Sequence, residues 1–118
     1  MSFDVIPIPE FVKELKWLAK KYRSLKAEID VLGDDLSHDP YIGTFIGSDR
    51  YKIRLAIQSK GGGKSGGARV ITCVVAVREE VYLLSIYDKS DQGTLTYKRL
   101  KELLKQIPRW GELGAHVA

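Results

Sequence analysis

The apolar pattern of these 118 residues predicts an α+β domain with elements in the order β-α-α-β-β-β-α. Three observations carry that expectation. Apolar residues recur at helical spacing twice between Phe11 and Leu36. Three stretches between Tyr51 and Ser90 alternate, or run continuously apolar, as strands do. A last helical stripe, Leu100, Leu103, Leu104 and Ile107, follows them. A composition of 44% hydrophobic and 29% charged residues belongs to a folded globular chain and not to a disordered one.

The first element, Phe3 to Ile8, alternates weakly and reads as a short strand ended by Pro7 and Pro9. Pro9 suits the first position of a helix, with Glu10 in its first turn and Phe11, Leu15, Leu18 and Tyr22 along one stripe. Ser24 is placed to cap a second helix carrying Leu25, Ile29, Leu32 and Leu36, weakened in its middle by Gly33. Turn formers dominate from Ser37 to Asp49, so this segment is expected to be a loop. The strand Tyr51–Ile57 then sorts Tyr51, Ile53, Leu55 and Ile57 onto one face and Lys52, Arg54 and Ala56 onto the other. Arg69–Val77 reads as a central strand, and Glu79-Glu80 as a reversal into Val81–Ser90. Thr96 is the expected cap of the final helix, which Pro108 stops. Residues 1–110 are taken as one domain and 111–118 as a loosely held tail.

The charge is unevenly distributed. Between Ser48 and Val70 stand Arg50, Lys52, Arg54, Lys60, Lys64 and Arg69 against the single acid Asp49, a local charge of +5 in a chain that totals +4. A localised basic surface implies a polyanionic partner. Lys52 and Arg54 share a strand face, with their roots about 7 Å apart. Arg69 opens the next strand, where antiparallel pairing brings it near Arg54; Tyr87 and Lys89 share one parity near the end of the last strand. Such cations repel one another unless an anion sits among them. The segment QSKGGGKSGG reads as a flexible basic flap beside this face, able to wrap a phosphate backbone.

Other chemistries find little support. Gly63-Lys64-Ser65 suggests a nucleotide-binding P-loop, but Gln58 stands where that motif needs glycine, and a strand follows where it needs a helix. The lone Cys73 is mid-strand and suits a small core residue; it leaves no internal disulfide framework and fits the cytosol. His38 and His116 have no ligand spacing with it, so no metal site or nucleophilic triad is expected. No apolar run approaches the ~20 residues of a membrane span, and no secretory signal opens the chain.

The runs YKIRLAI, KGGGKSGGARVI and VYLLSIYDKSD together resemble the RelE/HigB toxins of bacterial type II toxin–antitoxin systems, a likeness that extends over most of the chain. The resemblance implies a RelE-like fold: an N-terminal strand and helix pair packed on an antiparallel sheet of about four strands, with a C-terminal helix. It implies a cytoplasmic, ribosome-dependent endoribonuclease that cuts mRNA in the A site by attack of the ribose 2′-OH, with no metal or other cofactor. Its catalytic positions fall on Lys52, Arg54, Arg69 and Lys89, with Tyr87 a candidate beside them; the remaining cations of the basic block, Arg50, Lys60 and Lys64, are expected to bind RNA. In this assignment Lys52 takes the 2′-OH proton, Arg54 and Arg69 clamp the phosphate, and Lys89 or Tyr87 protonates the leaving oxygen. A C-terminal catalytic tyrosine of some members has no counterpart in register, although Tyr97 lies near. The implied partners are a cognate antitoxin, in a toxin–antitoxin hetero-oligomer, and the ribosome with its A-site mRNA. Relatives often carry an aromatic residue where Cys73 stands, a departure that bears on sequence preference. Gyrase-inhibiting toxins of related fold and non-catalytic RNA-binding modules are the competing classes; the retained Lys52, Arg54 and Arg69 argue against the first.

Overall fold

In the computed structural model, which describes residues 2–91 and 95–112, Pro9 is the first residue of a helix that runs to Lys21. The missing amide of proline falls where helical amides lack partners, and its fixed φ suits the first turn. This helix, α1 (Pro9–Lys21), follows strand β1 (Asp4–Pro7) and precedes α2 (Leu25–His38). Then come β2 (Thr44–Gly47), β3 (Arg50–Leu55), the single turn α3 (Gly63–Gly66), β4 (Ala68–Val75), β5 (Glu80–Asp88) and α4 (Tyr97–Leu104).

The five strands form one sheet in the order β1-β5-β4-β3-β2. It is the mostly antiparallel sheet expected, of five strands in place of about four, with β1 paired parallel to β5 and β2 added at an edge. The strand β2 lies in the segment read as a loop. It is only four residues long, its burial does not alternate, and Phe45 and Ile46 are exposed, so it leaves no periodic trace in the sequence. Gly43 makes its approach possible: φ is +105°, and a β-carbon there would lie 2.6 Å from the Lys52 carbonyl oxygen.

The parallel strand β1 covers only Glu80–Leu83 of β5, leaving the second half of that strand with an open edge. α1 closes it. Glu14 Oε1 accepts from the Ile86 amide at 3.3 Å and from Ser85 Oγ at 3.0 Å, which satisfies backbone that would otherwise invite pairing with another chain.

Both helical stripes are buried as the spacing predicts: Phe11 and Leu18 from α1, and Leu25, Ile29, Leu32 and Leu36 from α2. They join a continuous core with Ile53, Val70, Leu84 and Ile86 of the sheet and Leu100, Leu103 and Leu104 of α4. Gly33 does not end α2, because four buried apolar side chains anchor the helix on both sides of it. Ser24 precedes the helix but does not cap it. Its backbone is already helical, and its hydroxyl is engaged by Glu28 and Ser59.

The central strand β4 is buried along its whole length and ends at Val75, two residues earlier than expected. A 3-10 turn over Ala76–Arg78 and a left-handed Glu79 (φ 54°) make the reversal into β5. Thr96 caps α4 as expected, its Oγ1 accepting from the Arg99 amide at 3.1 Å. α4 is tied to α1 through Arg99–Glu10 (3.0 Å) and through the Glu10 amide, which donates to Gln106 Oε1 (3.1 Å). Arg78 donates to the carbonyls of Pro108 and Arg109, Trp110 packs against the core, and the Glu112 amide donates to the Arg109 carbonyl at 3.0 Å. The rest of the expected tail, including His116, lies outside the described residues. Among the described residues, no helix is long and apolar enough to cross a membrane.

Candidate active site

The site grows from the register of three strands. In the β3–β4 ladder Arg54 stands directly opposite Arg69, and in the β4–β5 ladder Arg69 stands opposite Tyr87. Directly opposed residues on one face lie about 5 Å apart at their roots, so Arg54, Arg69 and Tyr87 form a row across the sheet. Lys52, two residues before Arg54, points to the same face. Lys89 follows the end of β5 and is anchored by its amide, which donates to the Gly67 carbonyl at 3.0 Å.

The result is a cleft of about 340 Å³ lined by Thr44, Ile46, Lys52, Arg54, Arg69 and Lys89. Four of its six lining residues are cations and none is an acid. Four of the five expected catalytic residues therefore meet in one concavity. The fifth, Tyr87, lines a neighbouring cavity of about 210 Å³ with Ile46, Arg50, Lys52, Ile71, Leu95, Tyr97 and Leu100. Lys52 borders both. Burial raises the Tyr87 hydroxyl above its ordinary value, and Arg69 opposes that rise only in part, so Tyr87 remains a proton donor at neutral pH. A larger groove of about 450 Å³ between α1 and the end of β5 has acids and lysines intermixed, and it contains none of the clustered cations.

The glycine-rich loop is ordered by this site. Arg69 is 4% exposed, and three of its N–H donors engage backbone carbonyls, those of Lys64 (2.9 Å), Ala68 (3.1 Å) and Ser65 (3.4 Å). It is both a wall of the cleft and the tether of α3. Gly67 is required beside it, since a β-carbon there would overlap the Leu55 carbonyl oxygen. Gly67→Ala is therefore expected to cost more than about 2 kcal/mol and to lower Tm by roughly 10 °C in a thermal melt.

The cations expected to bind RNA from the loop divide. Lys64 is exposed on α3 and forms no ion pair among the described residues. Lys60 is turned the other way: its ammonium donates to Asp88 Oδ1 at 2.6 Å and to Ser90 Oγ at 2.7 Å, and lies 5.8 Å from the Tyr22 ring centroid. Asp88 has the opposite strand parity to Tyr87 and is 2% exposed, which pulls Lys60 to the helix-covered side. The expected flap is thus pinned at its start. Burial would raise the Asp88 carboxyl, but Lys60, the Tyr22 hydroxyl (2.5 Å) and the Ser90 amide outweigh it and hold the group at about 2.

Arg50, also expected to bind RNA at the surface, is 5% exposed. It pairs opposite Cys73, donates from Nε to the Gly47 carbonyl at 3.2 Å, and lies 5.8 Å from the Tyr97 ring centroid. Cys73 is fully buried, and burial pushes its thiol up to about 12, so it is a packed core residue and not a nucleophile.

Sequence reasoning missed the Tyr22–Asp88–Lys60 network and the placement of Tyr97. The first had a readable signal, a lone acid at an inward position of the apolar strand VYLLSIYD. The second had none, because it depends on where α4 docks.

No family model matches the chain. Among solved structures, the chain is similar to a mutant E. coli toxin RelE in its free state, with 19% identity and a TM-score of 0.60, covering 91% of this chain and 99% of that one. The resemblance read from the strand motifs and the architecture found here agree: this chain has the α+β fold of RelE.

Proposed function

We propose that this protein is the toxin of a toxin–antitoxin pair and acts in the cytoplasm as a metal-independent endoribonuclease on ribosome-bound mRNA. The observation that carries the reading is the acid-free cleft in which Lys52, Arg54, Arg69 and Lys89 converge on a RelE-like fold. A phosphodiester placed there meets cations on several sides, and attack by the adjacent 2′-oxygen builds further negative charge on phosphorus. Prepositioned donors stabilise that developing charge most where water is excluded.

In this mechanism Lys52 accepts the 2′-OH proton, the 2′-oxygen bonds to phosphorus, and the bond to the 5′-oxygen breaks. Lys52 suits the role because it lines the cationic cleft on the same strand face as Arg54 and also borders the neighbouring cavity. Arg54, exposed and opposite Arg69, grips the non-bridging oxygens in its planar fork. Arg69 contributes charge while holding the loop. The leaving 5′-oxygen takes its proton from Lys89, in the same cleft, or from Tyr87, which burial keeps protonated. The products are a 2′,3′-cyclic phosphate and a 5′-OH end.

An antitoxin that masks this cleft would neutralise the activity, and a toxin–antitoxin hetero-oligomer is the expected resting form. The test is cleavage of a defined mRNA on programmed ribosomes by the purified protein. Cleavage in the A-site codon supports the reading. Salt-sensitive ribosome binding with intact mRNA would reduce the protein to an RNA-binding module.

A further inference from the structure

Away from the cationic cleft, a groove of about 600 Å³ lies between β1 and the helices α1 and α2. Its apolar lining includes Phe3, Val12 and Leu15, of which Val12 is exposed and the other two are half-buried. Its charged lining residues are Asp4, Asp30 and Asp34, and no lysine or arginine is among them. None of these three acids forms an ion pair among the described residues. The chain as a whole carries +4, so the sign of this rim is the reverse of the molecule's.

Gly33 keeps the groove open. A β-carbon built there meets no atom within 4 Å, so α2 leaves room at the position that lines the groove. Pro7 ends the edge strand β1 and removes a backbone donor from that edge, which disfavours capture of an added strand. What the groove offers is burial of apolar side chains inside a negative rim.

We infer that this groove is a docking site for a segment of a second protein that presents apolar side chains flanked by lysine or arginine. The apolar lining takes the anchors out of water, the carboxylates meet the flanking cations, and acidic segments are repelled. Lys52 and Arg54 have the strand parity opposite to Ile53, which belongs to the core that the helices cover. A partner seated among β1, α1 and α2 therefore leaves the cationic cleft open. The site goes beyond the ribonuclease reading and does not depend on it.

The test is selection of short random peptides displayed on phage against the purified full chain. A protein of charge +4 favours acidic peptides by default; the groove is expected to enrich apolar peptides of net positive charge instead. A synthetic copy of the most enriched peptide is expected to shift the NMR amide signals of Val12, Gly33 and Ser37 and to leave those of Arg54 and Arg69 in place. Gly33→Leu fills the groove with a better helix former, so it is expected to fold and to bind the peptide about tenfold or more weakly. The double variant Asp30→Lys with Asp34→Lys, at two exposed positions, is expected to show a comparable loss. Enrichment of acidic peptides, no enrichment at all, shifts confined to the cleft, or binding unchanged in either variant would each overturn the inference. So would self-association of the wild type that Gly33→Leu abolishes, which would give the groove to a second copy of this chain.

Discussion

Lys52→Ala is expected to lower ribosome-dependent cleavage by about 10²–10⁴-fold, the range for loss of a positioned proton-transfer group. The side chain is half-buried at the border of the two cavities, so truncation leaves the sheet intact and removes the group nearest both. Arg54→Ala is expected to cost about 10²–10³-fold through lost charge stabilisation, with little change in Tm because the side chain is exposed. Arg69→Ala should differ from both. It removes a cation from the cleft and three hydrogen bonds from the α3 loop, so activity and Tm should fall together. Single-turnover rates measured beside thermal melts separate the three cases. Near wild-type rates in Lys52→Ala and Arg69→Ala alike would contradict the site assignment.

Asp88→Asn is expected to destabilise the fold by about 2–3 kcal/mol without touching the cleft. It leaves the Lys60 ammonium, itself largely buried, without its charge partner and weakens the link from β5 to Tyr22 at the end of α1. The same group gives the fold an acid limit. Its folded value of about 2 lies below the ordinary 3.8, so between these values the unfolded chain binds more protons than the folded one. Stability from this source, about 2 kcal/mol, is fully present above roughly pH 5 and is lost as pH falls through 3.8 towards 2. Melts of the wild type should therefore drop steeply across that window, and melts of Asp88→Asn should drop less. Parallel curves would show that the pair does not carry this dependence.

Much of the site could be read from the chain before its structure was known, for a simple reason. A strand has a period of two, so the residues Lys52 and Arg54 must share a face, and the antiparallel hairpin had to return Arg69 close to them. The register then supplied what alternation lacks, placing Arg69 opposite Arg54 and Tyr87 opposite Arg69. What escaped the reading has physical causes as well. The strand β2 exists because its neighbour accepts it, not because its own four residues demand it. Lys60 looked like a member of the basic loop because sequence does not show that a buried carboxylate 28 residues away would claim it. Arg50 shares its strand parity with Lys52 and Arg54, yet docking of α4 puts it under Tyr97 and out of solvent. In each case a tertiary contact overrode a local expectation.

The cleft gathers half of the cations that crowd residues 48–70, Lys52, Arg54 and Arg69, and adds Lys89, held by a sheet register and a tethered loop with no acid among its lining residues. If that surface cleaves RNA through the 2′-oxygen, the chemistry is written on the products. The most direct measurement is the end chemistry of a defined mRNA incubated with the purified protein on programmed ribosomes, without added divalent metal beyond that bound to the ribosome. The expected result is a single cut within the A-site codon, leaving a 2′,3′-cyclic phosphate upstream and a 5′-OH downstream, and absent with Lys52→Ala. A 5′-phosphate at the cut, or uncut mRNA on ribosomes that demonstrably bind the protein, would contradict it.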